Sequence, residues 1–135
     1  ETLYQKLKEE KIDHEIVVIN DNSQDKTEEI LQNLQGSIPT LVYYNNDGPN
    51  GFGYAVRFGL SCFKGDCVAV MMADLSDSPD DLVKFYRKML EGYDCVFGNR
   101  WGKEGEVIDY PATKKFLNRM ANYLVKIMFG LKYGD

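Results

Sequence analysis

The chain has 135 residues, 44% hydrophobic and 27% charged, ordinary fractions for one globular domain with a single sizeable core. Its 16 Lys and Arg against 21 Asp and Glu leave a net charge of -5. That balance excludes a general nucleic-acid binder, which carries a basic face. No run of roughly 18 or more apolar residues reads as a membrane span, and no secretory signal is visible.

Cys62, Cys67 and Cys95 are odd in number, and Cys67 and Cys95 lie in apolar runs. They are expected to be buried, reduced thiols of a cytosolic domain. With His14 the single histidine, they match no zinc spacing.

Leu3 and Leu7 share one face of a helix that runs to about Lys11 without a start signal. The chain closes on Tyr133-Gly134-Asp135 just after another helix, so it is read as a fragment of a longer protein. Residues 15–19 are expected to form a compact buried strand, and residues 20–25 a polar loop of turn formers. Thr27, Glu28 and Glu29 open a helix bearing Ile30, Leu31 and Leu34, with Gly36 as its expected end. A strand is expected at 41–44, then a loop rich in Asn, Asp, Gly and Pro over 45–53. Ala55, Val56, Phe58, Gly59 and Leu60 belong to a helix ending near Lys64-Gly65.

Residues 68–72 are apolar and β-branched at alternate positions, which predicts a buried strand that stops before Asp74. A helix follows from Pro79 to about Glu91, turning Leu82, Phe85, Tyr86, Met89 and Leu90 inward. A further strand is predicted at 93–97 and a long glycine-bearing loop at 98–111. The last helix, from about Thr113 to Phe129, gathers Phe116, Met120, Tyr123, Leu124, Ile127 and Met128 on one face. Strands alternating with helices predict an α/β fold, a three-layer α/β/α arrangement around a mostly parallel sheet, as a single domain over 1–135.

Open α/β sheets bind ligands at the carboxyl ends of their strands. Asp21 follows one such end and can accept from a ribose hydroxyl or a base edge, with Ser23 and Asp25 shaping the loop. An Asx-turn and helix cap is the simpler account of Ser23 and Asp25. No glycine triplet lies there, so the loop is not a dinucleotide fingerprint. Asn50-Gly51-Phe52-Gly53-Tyr54-Ala55 lacks the lysine and serine of a P-loop, but its glycines allow close backbone approach and a helix start favours an anion. A tight turn packed on the sheet is the more common explanation of such a segment.

Asp74 and Asp77 stand in the loop after residues 68–72, where a helix start led by Ser78 or Asp80 is the competing account. Arg100, after another strand end, has the guanidinium that grips phosphate, against the alternative of a surface ion pair. Together Asp21, Asp74 and Arg100 suit a nucleoside, a divalent metal and a phosphate.

These residues resemble a family-two glycosyltransferase of the branch that includes dolichol-phosphate mannosyltransferase. Asn20-Asp21-Asn22-Ser23-Gln24-Asp25-Lys26-Thr27 is similar to that family's Asp-Asp-x-Ser-x-Asp-x-Thr nucleotide loop. Asn50 to Ala55 resembles its Asn-x-Gly-x-Gly-x-Ala segment, Met72-Ala73-Asp74-Leu75-Ser76 its Asp-Ala-Asp-Leu-Ser metal motif, and Gly98-Asn99-Arg100 its Gly-Ser-Arg. Asn118, Asn122, Phe129-Gly130-Leu131 and Asp135 resemble its later helix and downstream aspartate.

The resemblance implies a nucleotide-diphospho-sugar transferase (glycosyltransferase type A) fold and an inverting transfer from a UDP- or GDP-linked sugar. A polyprenyl phosphate is one acceptor it implies, in cell-envelope or glycolipid biosynthesis. It assigns Asp21, Asn20, Ser23, Gly51 and Gly53 to nucleotide binding and Asp74 and Asp77 to a divalent metal, Mg2+ or Mn2+. Asp74, Arg100 and Asp135 take the catalytic roles. It also implies a cytoplasmic protein, at the membrane face when full length, with a homo-oligomer left open.

The sequence departs from the pattern at Asn20 and Met72, each standing for an aspartate. The family's first strand, ending in a Pro-x-Tyr-Asn-Glu-like segment, precedes the helix with which this chain begins. Two other readings stay open: a catalytically impaired homologue, because Met72 removes an acid, and a nucleotidyltransferase on a similar sheet.

Overall fold

The computed structural model describes residues 1–74, 76–98 and 111–130. Two compact units divide the chain, Glu1–Leu90 and Glu91–Asp135.

The first unit is built on a parallel strand pair. After α1 (Thr2–Glu9), β1 (Ile16–Asn20) leads through α2 (Thr27–Ser37) to β2 (Leu41–Asn45). The strands pair from Ile16↔Leu41 to Asn20↔Asn45. Parallel strands need such a crossover, because a tight turn only reverses the chain. The ladder continues past both ends: the Ile16 N–H donates to the Thr40 carbonyl at 2.8 Å, and the Asn46 N–H to the Asn20 carbonyl at 2.9 Å.

Local chemistry fixes the crossover. The Asp25 carboxylate accepts the Thr27 N–H at 3.0 Å and the Thr27 hydroxyl at 2.5 Å, starting α2. Gly36 does not end the helix as expected. Ile38 does, held extended at φ -119° because Pro39 follows it. His14 supports the far edge: its Nδ1 pairs with the Ile12 carbonyl at 2.7 Å and its Nε2 with the Thr40 hydroxyl at 3.0 Å. A carbonyl can only accept, so Nδ1 carries a proton in this pairing.

α3 (Phe52–Cys62) packs on β1 and α2 on β2. Gly59 lets α3 approach closely, since a Cβ there would meet the Ile19 side chain at 3.3 Å. Phe58 meets Tyr44 edge-on, ring centroids 6.1 Å apart. Leu7, Leu31, Ile38, Leu41 and Val83 are the buried apolar residues among those described.

α4 (Pro79–Leu90) packs against α1. Ser78 caps it, its hydroxyl accepting the Asp80 N–H at 3.2 Å and its carbonyl the N–H groups of Asp81 and Leu82 at 3.1 Å each. Lys6 of α1 bridges Glu10 at 3.2 Å and Asp80 at 2.6 Å, and Glu10 also takes Arg87 at 2.7 Å. These contacts raise the Lys6 pKa, with Asp80 the larger cause, and lower that of Asp80.

The α/β class with parallel pairing is as expected, but several local expectations fail. Residues 68–72 and 93–97 carry no strand ladder among the described residues. Val68 and Val70 are about half exposed, at 50% and 55%. Alternating apolar residues report hydrophobicity, whereas a strand also needs a paired neighbour. The Met72 N–H instead turns back to Asp77. Cys67 and Cys95 are accordingly exposed, not buried. In α4 the buried residue is Val83, and Leu90 at the helix end points to solvent. α1 stops at Glu9, short of Lys11, whose φ of 55° is not helical.

In the second unit, α5 (Ala112–Phe129) ends at Gly130 in the left-handed conformation, φ 62°. Its apolar residues, Phe116, Met120, Tyr123, Leu124, Ile127 and Met128, are exposed. No helix among the described residues is long and apolar enough to cross a membrane.

Candidate functional site

Equal register brings the carboxyl ends of β1 and β2 out side by side at Asn20 and Asn45. The two loops that follow are joined by side-chain hydrogen bonds. Glu28 can only accept, and it takes the Asn45 amide at 2.8 Å. That orients Asn45, whose side-chain oxygen then accepts the Asn20 amide at 2.9 Å. Asn20 in turn presents its oxygen to the Ser23 N–H at 3.2 Å. The run therefore has one polarity, and it requires an amide at position 20. This accounts physically for asparagine where an aspartate was expected.

Asp21 belongs to a second set of bonds. One carboxylate oxygen accepts the Asn46 amide at 2.6 Å, and the other accepts the Gly51 N–H at 2.7 Å. The Asn46 amide and then the Gly51 N–H hold the Asp21 carboxyl below its ordinary range. Asn46 is buried, at 5% exposure, and uses its whole side chain. Its amide also donates to the Pro49 carbonyl at 3.0 Å, and its oxygen accepts the Gly48 N–H at 3.1 Å. Asn22, at φ 59°, donates its amide to Asn50.

Gly51 lies at φ 127°, a backbone conformation that side-chain-bearing residues rarely adopt. Its carbonyl accepts the N–H groups of Tyr54 and Ala55, launching α3 from the same loop. Gly53, in the first turn of α3, has open space where a Cβ would stand. Asp21, Asn20, Ser23 and Gly51 are thus brought together. Asn46, Asn45 and Glu28, which complete the set, were missed from the sequence. The asparagine pair just after a strand was the available signal.

The 72–77 loop is tied to itself. Asp74 accepts the Ser76 N–H at 3.0 Å, and Asp77 accepts the Met72 N–H at 2.7 Å. Ser76, through its side chain first and its backbone second, lowers the Asp74 pKa, so this carboxyl is anionic at neutral pH. No group of three or more metal-ligating side chains occurs among the described residues. Asp74 and Asp77 are both exposed, and each accepts one backbone N–H of its own loop. Arg100 and Asp135 lie outside the described residues. An open hollow of about 540 Å3, lined in part by Tyr4, Gln5, Ser37 and Ile38, shares no residue with these loops.

Three curated relatives match most of the chain. The uncharacterised glycosyltransferase YkcC of Bacillus subtilis is 28% identical over 136 residues, covering 98% of this chain and 42% of its own. The dolichol-phosphate mannosyltransferase of Pyrococcus furiosus is 33% identical over 110 residues, 82% of this chain and 31% of its own. An uncharacterised glycosyltransferase of Synechocystis, sll0501, is 30% identical over 125 residues, 93% of this chain and 39% of its own. The chain therefore spans less than half the length of each of these relatives. The family model described as glycosyl transferase family 2 matches residues 1–134, and the chain belongs to that family.

Proposed function

We propose that the chain carries the donor-binding part of an inverting glycosyltransferase that moves a sugar from a UDP- or GDP-linked donor to an acceptor. The observation that supports this most is the Asp21 carboxylate, fixed between the Asn46 amide and the Gly51 N–H at adjacent parallel strand ends. A carboxylate held in this way retains lone pairs for a ribose hydroxyl or a base N–H. Asn20 and Ser23 shape its loop, and Gly51 and Gly53 give backbone access at the start of α3, where negative charge is favoured.

Asp74 and Asp77 would hold the divalent cation, Mg2+ or Mn2+. Such an ion neutralises the charge that develops on a nucleoside diphosphate leaving group. Arg100 adds a fixed positive charge for the same diphosphate. An acceptor that is a lipid phosphate is already anionic and needs no strong base. A hydroxyl acceptor needs one, and Asp135 fills that role. The lipid-phosphate acceptor draws its support from the name of the Pyrococcus relative, and it implies action at the cytoplasmic membrane face.

Turnover by the full-length protein across a panel of nucleotide sugars, with and without Mn2+, tests the reading. Metal-dependent transfer from at least one donor is expected. Absence of both turnover and binding across the panel overturns it. A catalytically impaired homologue, the reading that Met72 favours, differs by failing to bind manganese and nucleoside diphosphate together in calorimetry.

A further inference from the structure

Asn46 lies between the Asp21 loop and the Gly51 segment and belongs to neither motif, yet it is one of only two buried polar residues among those described, at 5% exposure. Both of its amide hydrogens are committed, one to Asp21 at 2.6 Å and one to the Pro49 carbonyl at 3.0 Å. Its oxygen takes the Gly48 N–H at 3.1 Å. Its backbone N–H continues the β1–β2 ladder onto Asn20. One side chain thus joins the end of β1, the end of β2 and the turn that delivers Gly51 to the other oxygen of Asp21.

We infer that Asn46 is a positioning residue for the nucleotide part of the donor: it sets the rotamer of Asp21 and the placement of the 48–51 turn as one unit. This rests on the donor-binding reading given above. A buried carboxamide suits the task because it satisfies a carboxylate and a carbonyl with one planar group and adds no charge. Aspartate in its place would bring a second carboxylate against Asp21, and alanine would leave one Asp21 oxygen and the Pro49 carbonyl without their donor. Preorganisation of this kind governs binding of the donor more than the chemical step.

The test uses the full-length protein and the donor from the panel that gives the highest turnover. Asn46→Ala and Asn46→Asp are expected to raise the donor KM at least tenfold while kcat falls less than threefold. A double variant, Asp21→Asn with Asn46→Asp, exchanges the two groups. It keeps the bond between them and the acceptors for Gly48 and Gly51, but sets a carboxylate oxygen against the Pro49 carbonyl. Its melting temperature should therefore recover part of what Asn46→Asp loses. Its donor KM should stay raised, because the carboxylate now sits at position 46. This variant carries the test even where Asn46→Ala does not fold.

A donor KM unchanged in a folded Asn46 variant, or restored by the exchange, overturns the inference while leaving the donor-binding reading intact. A parent protein silent with every donor overturns that reading and this inference with it.

Discussion

Asn20 and Asn45 are register partners on adjacent parallel strands, and the side-chain amide of Asn20 donates to the side-chain oxygen of Asn45 at 2.9 Å. Because Glu28 fixes the Asn45 amide the other way round, Asn20 has no freedom to be an acceptor toward Asn45. Asn20→Asp, although it restores the family's usual residue, sets two acceptors against each other at a site with only 6% exposure. It should destabilise the protein by about 1–3 kcal/mol, the cost of a buried polar group left unsatisfied. Urea unfolding of the variant beside Glu28→Gln/Asn20→Asp, which frees Asn45 to turn round, checks this. The double variant should recover part of the loss.

Gly59 is a point where α3 packs directly on Ile19 of β1. Gly59→Val adds two methyl groups beyond a Cβ that already meets Ile19 at 3.3 Å. Overpacking of this kind costs about 1–3 kcal/mol. A lower thermal midpoint is expected, together with weaker donor binding, because Gly51 is at the head of the same helix.

Stability should depend on pH through the α1–α4 ion pairs. Lys6 holds the folded pKa of Asp80 below its ordinary 3.8, so the contribution of Asp80 is present above that value and fades as pH falls through the lower, folded pKa. The Lys6 pKa is raised from 10.5, so its contribution is full below 10.5 and is lost as pH rises through the higher, folded value. These groups are solvent-exposed and the effect is small and screened by salt. Urea midpoints measured from pH 2 to 7 should fall at the acid end less steeply in Asp80→Asn, and the difference should shrink in 1 M salt.

Asp74 and Asp77 separate charge from loop geometry. Asp77→Asn keeps an oxygen for the Met72 N–H and removes the charge, whereas Asp77→Ala removes both. On the metal reading, Asp74→Asn in the full-length protein lowers metal-dependent turnover at least a hundredfold, and Asp77→Asn weakens the apparent affinity for Mn2+. Asp77→Asn with unaltered Mn2+ dependence would show that Asp77 serves only the loop.

Much of the first unit was legible in the sequence, since helix spacing and two short apolar runs were enough to place α1 to α4, β1 and β2. The runs at 68–72 and 93–97 misled because composition reveals a preference for burial, and pairing depends on a neighbour that local pattern does not name. The same gap misplaced Cys67 and Cys95. In the site, Asp21 and Gly51 were found from their own loops. Asn46 was not, because its burial and its partner are set by a loop 25 residues away. Val83 was missed because the stripe was drawn through larger side chains: Leu82, Phe85, Tyr86 and Met89 are half-buried, and the smaller Val83 beside them is buried.

The matched register of β1 and β2 also orders events in time. Asn20 to Asn45, Asp21 to Asn46, Asn22 to Asn50 and Asp21 to Gly51 are contacts between residues 25 to 30 positions apart. None can close until α2 has carried the chain across, and that loop entropy comes before any reward from the contacts. The asparagine bridges are therefore expected to assemble late in refolding. Changes to them should speed unfolding and leave the refolding rate nearly untouched, a pattern that stopped-flow chevrons would display.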